Sequence, residues 1–487
     1  MAESSSSALA SPSLSEAEVP AGVIPAGWSY HSLTDKIAFI VLHRRSRLPW
    51  LLGLGLALIV SFAFFAAIGY LLVFGPGIWG ITMPVAWGYA IANYVWWIGM
   101  AQGGTFISAI LLLVRQKWRR SINRSAETMT LFAAVMAGLF PILHLGRPWF
   151  FYWLAPYPDK MDLWPQWRSP LVWDFFAIAA YLLVSLLFWY AGMLPDLAAM
   201  RDRAKRHLTQ ILFGLAALGW RGESSHWKRH QSAYLLVAAL AAPLVVSVHS
   251  VVSLDYAIGN TPGYHSTIFP PYFVAGALFS GFAMVLTLAI PLRRFFHLED
   301  FITVPILDNM AKVMFAVDWI LIYSYLAETF TDFYSGDKFE IHMAVDRLTG
   351  LYSPIYWILI FCNVFATQVL WWRRARRNLT VLFVLSLIIQ VGMWMERFII
   401  TVQPLHRDFL PSAWGVFTPT RWDWITLFGS CALFALLLLL FVRLLPAISM
   451  HDLREQLHEQ NAAPPAAAPP PAAAAGSATA AHPSPQG

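Results

Sequence analysis

Ten separated apolar runs, each long enough to cross a lipid bilayer, leave this chain few ways to fold. The hydrocarbon core is about 30 Å thick and takes roughly 20 apolar residues of helix. Runs of that kind lie near 49–74, 84–114, 128–145, 171–194, 233–258, 272–292, 303–327, 351–372, 379–402 and 424–446. Backbone groups in lipid must be satisfied within the segment, and the runs lack the alternation of barrel strands. The expected fold class is all-α: a polytopic membrane protein with ten transmembrane helices. A hydrophobic fraction of 58% against 12% charged residues agrees with a chain whose main solvent is lipid.

The net charge of +6 would suit a nucleic-acid partner if the basic residues formed one patch, but they alternate from loop to loop. Arg44, Arg45 and Arg47 precede span one; Arg115, Lys117, Arg119, Arg120 and Arg124 follow span two; Arg201, Arg203, Lys205, Arg206, Arg221, Lys228 and Arg229 follow span four. Arg293 and Arg294 follow span six, and Arg373, Arg374, Arg376 and Arg377 follow span eight. With Lys36, Arg443 and Arg454, this face carries 24 of the 33 basic residues. The opposite loops hold Arg147, Lys160, Arg168, Lys338, Arg347, Arg407 and Arg421. By the positive-inside rule both termini are expected in the cytoplasm, with lipid and not nucleic acid as the surrounding partner.

Three segments follow from composition. Residues 1–48 form a cytoplasmic N-terminal segment, polar and rich in Ser and Ala over 1–34 and without a convincing secretory cleavage site, so the first apolar run is expected to stay as a helix. Residues 49–446 form the membrane domain, and 447–487 a Pro/Ala-rich cytoplasmic tail, expected to be disordered. Cys362 and Cys431 both fall inside predicted spans. Two cysteines and no C-x-x-C-H motif leave the chain unable to hold an iron–sulfur cluster or a covalent c-type haem by itself, and no metal site is expected.

Ionisable groups within spans are costly and usually face a bundle interior or a watery cavity. With the N-terminus inside, span three ends at the outer face with His144, span four begins there with Asp174, and span five climbs through His249 to Asp255. Spans seven and nine bring Glu328, and Glu396 with Arg397, to the same level. Bland readings stand beside the functional one. Asp174 and Asp255 suit helix capping or solvation, His249 suits a satisfied core histidine, and Glu396 and Arg397 suit charge balance, although adjacent residues point to different helix faces and need not pair with each other. Convergence at one depth is the stronger signal.

Gly99, Gly103, Gly104 and Ser108 form a small-residue stripe in span two, the ordinary sign of close helix packing; Gln102 within it is a candidate ligand donor. Asp308, Lys312 and Asp318 climb span seven toward Glu328 as a candidate proton path, although their spacing does not keep all four on one face. Aromatic runs such as 148–153 and Trp164-Pro165-Gln166-Trp167 read as an interfacial belt. They would also suit a ring-shaped lipophilic ligand entering from the membrane.

Spans two and six both begin near Pro and carry paired glycines, Gly99 with Gly104 and Gly276 with Gly281. A repeat of two four-helix bundles, spans two to five and six to nine, with two flanking helices, accounts for this. Four segments then carry a resemblance. They are Trp96-Trp97-Ile98-Gly99, Gly103-Gly104-Thr105-Phe106-Ile107-Ser108-Ala109, Arg124-Ser125-Ala126-Glu127-Thr128-Met129-Thr130 and His144-Leu145-Gly146-Arg147-Pro148-Trp149. Over about residues 30–450 the chain resembles the NrfD/polysulfide reductase membrane subunits, and more closely their ActC branch in alternative complex III.

The resemblance implies a quinol-oxidising, haem-free subunit in a bacterial cytoplasmic (inner) membrane, with menaquinol the expected quinol. The implied partners are an iron–sulfur protein, multihaem and monohaem c-type cytochromes, a second NrfD-like membrane subunit and small membrane subunits. Its outer-side quinol pocket maps onto His144, Asp174 and Asp255, with Arg397 nearby and Gln102, His249 and Glu328 at its margin. Many relatives have His near Gln102; Gln cannot titrate, which puts proton transfer there in doubt. Rival readings are a secondary transporter, whose site belongs near the midplane, an anchor binding haem b between His144 and His249, and a passive anchor.

Overall fold

The computed structural model describes residues 20–25, 27–43, 48–154 and 167–462. The first nineteen residues, Arg44, Arg45, Arg47, Lys160, Trp164 and the Pro/Ala tract from 463 lie outside them. The described residues contain no strand, and ten helices are long and apolar enough to span a membrane. They are Leu48–Phe74, Tyr89–Leu113, Asn123–His144, Pro170–Arg203, Ser224–Ala257, Phe269–Phe295, Val304–Tyr334, Ser353–Trp371, Leu379–His406 and Arg421–Leu444, spans one to ten in order.

Local chemistry sets the helix starts. Pro170 opens span four, Pro270 and Pro271 open span six and Pro305 opens span seven, where the missing N–H costs nothing. The Asn378 side chain accepts from the amides of Thr380 and Val381 to cap span nine. Thr420 and Asp423 form a reciprocal cap on span ten, and Asp423 also accepts from Gly80 N at 2.8 Å, tying the loop after span one to the last span.

Spans two and six are the most enclosed helices and form the centre of the molecule. They meet where Gly103 faces Gly281: a Cβ on either would run into the other's backbone. Gly104 faces Ala126 and Thr130 of span three in the same way, and Thr130 Oγ1 donates to Ala101 O at 2.8 Å. The stripe therefore does packing work, as small residues do wherever helices must approach without a hydrophobic drive between them. Around this centre, span three packs on two, four on three, and five on both two and four; seven and nine pack on six, and eight on nine. Span one leans on span ten at the edge.

Two spans depart from regular α-geometry. Span two passes through a π-helical turn at Phe106–Ile110, and span eight through one at Phe361–Phe365 followed by a 3-10 stretch, Ala366–Trp371. Such turns often mark functional positions.

The tail assignment needs correcting. Residues Met450–Ala462 form a helix that buries Met450, Leu453 and Leu457. Its first amides, Met450 N and His451 N, donate to Asp196 at 3.3 and 3.0 Å, as a helix N-terminus favours an anion. Asn123 reaches Asp452 at 3.1 Å, and Lys117 and Arg120 hold Glu459 at 2.9 and 2.8 Å. A second helix, Tyr30–Leu42, packs beside it. These first and last described helices thus meet at one end of the bundle, here the termini side; the opposite end is the far side.

Candidate functional site

On the far side, the Tyr94 hydroxyl of span two donates to one oxygen of Asp174 in span four. The other Asp174 oxygen is buried without a hydrogen-bond partner. Asp255, at the end of span five, lies near enough for its charge to act on Asp174 and Tyr94, and its Oδ1 is likewise unpartnered. His144 ends span three on this side with its Nδ1 unpartnered. No hydrogen bond joins His144 to Asp174 among the described residues. His249 is fully buried one to two turns deeper, its Nε2 unpartnered and set against Gly99, where a Cβ would sit at 3.4 Å.

Buried polar atoms are nearly always hydrogen-bonded, and each exception calls for a reason. Asp174 Oδ1, Asp255 Oδ1, His144 Nδ1 and His249 Nε2 are four such exceptions on neighbouring helices. Asp174 and Asp255 lie near each other and offer acceptors, and each histidine nitrogen is a donor or acceptor according to its tautomer. Gln102 plays a different part. With its amide oriented to satisfy both ends, it donates to Val245 O at 3.0 Å and accepts from His249 N at 3.1 Å. It braces the backbone of span five beside Pro243 rather than facing a cavity.

A second polar cluster occupies the far-side half of spans six to nine. The Tyr325 hydroxyl donates to Glu396 and accepts from Asn363 Nδ2 at 3.0 Å. Glu396 and Arg397 do contact each other, at 3.2 Å, contrary to the expectation that neighbours on a helix diverge; their flexible stems bend together because both are buried. The Arg397 guanidinium also lies 4.4 Å from the centre of the Phe273 ring, facing the first cluster. Glu328 pairs with Arg347 at 2.8 Å, and Arg347 also reaches Gln403 at 3.2 Å. Arg347 comes from Lys338–Thr349, a helix in the loop after span seven capped by Asp337. Burial pulls its pKa down, but the Glu328 and Asp332 carboxylates together outweigh that and hold it above the ordinary arginine value.

The ladder on span seven divides. Asp308 sits at the termini side, held by Lys312 at 3.0 Å and Arg376 at 2.9 Å, an ion-pair cluster at the membrane edge. Lys312 is half-exposed. Asp318 is fully buried, with neither oxygen hydrogen-bonded, near Thr367 in the 3-10 stretch of span eight. Thr367 stands one turn from Asn363, which leads to Tyr325 and Glu396. The structure brings Glu328, Glu396 and Arg397 together and leaves Asp308 and Lys312 apart from them.

Sequence reasoning missed Tyr94, Tyr325, Asn363 and Arg347. The first three are uncharged and a search for charge passes over them; Arg347 falls between predicted spans, where a basic residue reads as a loop charge. Tyr94 had one usable signal: it stands two residues before Trp96, at the depth of Asp174.

A profile of the family described as "Polysulphide reductase, NrfD" matches residues 78–406. The chain belongs to the NrfD family. Within it, this NrfD protein is 28% identical over 240 residues to the membrane subunit of a putative dimethyl sulfoxide reductase of Halobacterium salinarum, covering 46% of this chain and 50% of that one. The alignment thus spans about half that relative's length. It is 23% identical over 405 residues to a selenate reductase subunit of Mesobacillus selenatarsenatis, covering 79% of this chain and 90% of that one. The matched residues include both polar clusters and exclude the two helices at the termini side.

Proposed function

We propose that this chain is the quinol-oxidising membrane subunit of an electron-transfer complex, with quinol bound at Asp174, Asp255 and His144 on the far side. The observation that carries this reading is the set of unpartnered buried atoms beside Tyr94 and Asp174. Oxidation of a quinol to quinone releases two electrons and two protons. Asp174 Oδ1 and His144 Nδ1 are free to take the hydroxyl protons, and Tyr94 fixes the Asp174 carboxyl in place. Asp255 hands protons on toward the far-side solvent. His249 and Arg397 set the polarity behind the ring. The electrons leave to an iron–sulfur cluster on a partner protein.

The finer reading is a complex of the alternative complex III type in a bacterial cytoplasmic membrane. The quinol is menaquinol, the far side faces the periplasm, and the termini are cytoplasmic. The other members of the complex are multihaem and monohaem c-type cytochromes, a second NrfD-like protein and small membrane proteins. The segment resemblance and the alternation of basic loops support it. The packing of His249 Nε2 against Gly99 argues against a haem plane over that nitrogen. The position of Asp174 Oδ1, Asp255 Oδ1 and His144 Nδ1 at the far-side ends of their spans argues against a midplane transporter site for that group.

Proton translocation extends this reading. Asp318, Thr367, Asn363, Tyr325 and Glu396 make a polar run from mid-span to the far side, with the Asp308 ion pairs at its entrance. Quinol-driven complex in sealed liposomes should then release more protons than quinol itself supplies; release equal to the quinol protons would reject pumping.

The test of the central proposal is Asp174→Asn in the intact complex. Quinol turnover should fall by about a hundredfold, the scale of a lost general base, with assembly and partner haem content unchanged. Normal turnover would reject the site.

A further inference from the structure

Spans seven and eight separate toward the far side. The first half of span eight, Ser353–Ile360, packs on span nine, while span seven meets span eight at its π and 3-10 stretch, 361–371. Between the splayed halves lies a crevice of about 690 Å³ that opens sideways, where lipid would be. Phe330, Phe333, Tyr334 and Trp357 wall it, and each has a large exposed face. Tyr325, Thr329 and Tyr356 form its floor and also line the inner compartment with Glu328, Arg347 and Glu396 behind them. An apolar entrance thus ends on hydroxyl groups one layer from a buried carboxylate.

The chemistry of the floor selects the occupant. Arg347, the cation behind the floor, is already held by Glu328 and Gln403, so a phosphate headgroup finds no free positive charge. Tyr325 stands nine residues before Tyr334, about 13 Å deeper along the helix at 1.5 Å per residue. A charged headgroup does not descend to that depth in the hydrocarbon, whereas a neutral ring with two oxygens does. Aromatic walls suit a flat ring, and the sideways opening suits a long isoprenoid tail.

We propose that this crevice is a second lipoquinone-binding site, separate from Asp174, with one ring oxygen accepting from the Tyr356 hydroxyl, the Thr329 oxygen, whose proton goes to Tyr325 O, left to accept from a quinol hydroxyl, and the tail along Phe330 and Phe333. The proposal concerns binding alone. It rests on the quinol reading only for the identity of the ligand, since the crevice is formed by spans that do not carry Asp174.

The purified complex in nanodiscs, exposed to a photoreactive azidoquinone and digested, tests it. Label is expected in peptides covering 322–334 or 353–364 as well as near Asp174, and unlabelled menaquinone but not phospholipid should compete it away. Thr329→Trp, which fills the floor, should reduce the crevice label about tenfold, equivalent to about 1.4 kcal/mol of binding, while leaving the label near Asp174. Ile360→Trp, approaching from span eight, gives the same readout if the first variant fails to fold. Label near Asp174 only, competition by phospholipid, or crevice label that survives both substitutions would overturn the second site and leave the quinol reading standing. Label at neither place would overturn both.

Discussion

Tyr94 and Asp174 are joined across spans two and four by a hydrogen bond that occupies one carboxyl oxygen and leaves the other bare. The tyrosine therefore positions the carboxyl without consuming its capacity to accept a proton. Tyr94→Phe should lower quinol turnover by about tenfold, since a hydrogen bond to a charged group contributes about 1.5–3 kcal/mol. The loss should be smaller than that of Asp174→Asn. Steady-state assays of the two variants in the assembled complex check the order; a larger effect at Tyr94 would make the tyrosine the primary proton acceptor.

Gly103 and Gly281 set how closely the two central helices approach. Gly103→Ala puts a methyl group into the opposing backbone, and overpacking of this kind costs about 1–3 kcal/mol. Gly138 in span three has nothing within 4 Å of the corresponding position. Gly138→Ala should therefore be neutral or stabilising by up to about 1 kcal/mol through helix propensity. Thermal unfolding in detergent separates the two; equal effects would show that the contact is not tight in the membrane.

Arg124 is buried between Asp196, at 3.0 Å, and Glu127, at 3.8 Å. Arg124→Leu strands two buried carboxylates and should destabilise the protein by about 3–5 kcal/mol. Asp196 also receives the first amides of the C-terminal helix, so that helix should become more accessible to protease in the same variant. A stable protein with a protected C-terminal helix would show that the carboxylates find other partners.

Hydrogen bonds from Arg120 and Lys117 pull the Glu459 pKa down from 4.5 to about 2. Because the folded value lies below the unfolded one, the contribution is fully present above pH 4.5. It is lost as pH falls toward 2. The Glu459 side chain is 36% exposed, so the effect is small and weakened by salt. A spin label at exposed Asn461 should gain mobility across that window in wild type, and Glu459→Gln should remove the transition. An unchanged profile in the variant would assign it to another group.

Much of the fold was legible because lipid is a demanding solvent. A helix that must satisfy its own backbone announces itself as an apolar run, and each of the ten predicted runs corresponds to a span in the structure. The small-residue stripe of span two pointed to close packing: nothing larger than Gly fits at Gly103, where the backbones of spans two and six touch. The depth of His144, Asp174, His249 and Asp255 was also readable, since chain direction alternates and residue count gives height. The C-terminal helix was not. Its amphipathic face is short and adjoins a Pro/Ala tract, and its docking place is made by distant parts of the chain: Asp196, Asn123, Arg120, Lys117 and the helix Tyr30–Leu42.

By itself the sequence determined the number of crossings, the level of each ionisable group and the family pattern carried by His144 to Trp149, because these depend on length, polarity and order along one chain. The tertiary structure decided which groups meet. It turned Gln102 toward the backbone of span five, set Asp308 in an edge ion-pair cluster apart from Glu328, drew Glu396 against Arg397, and joined Tyr94 to Asp174. Those outcomes depend on helix rotation and on the gap between spans, which follow from packing of faces against one another and leave no mark in the order of residues.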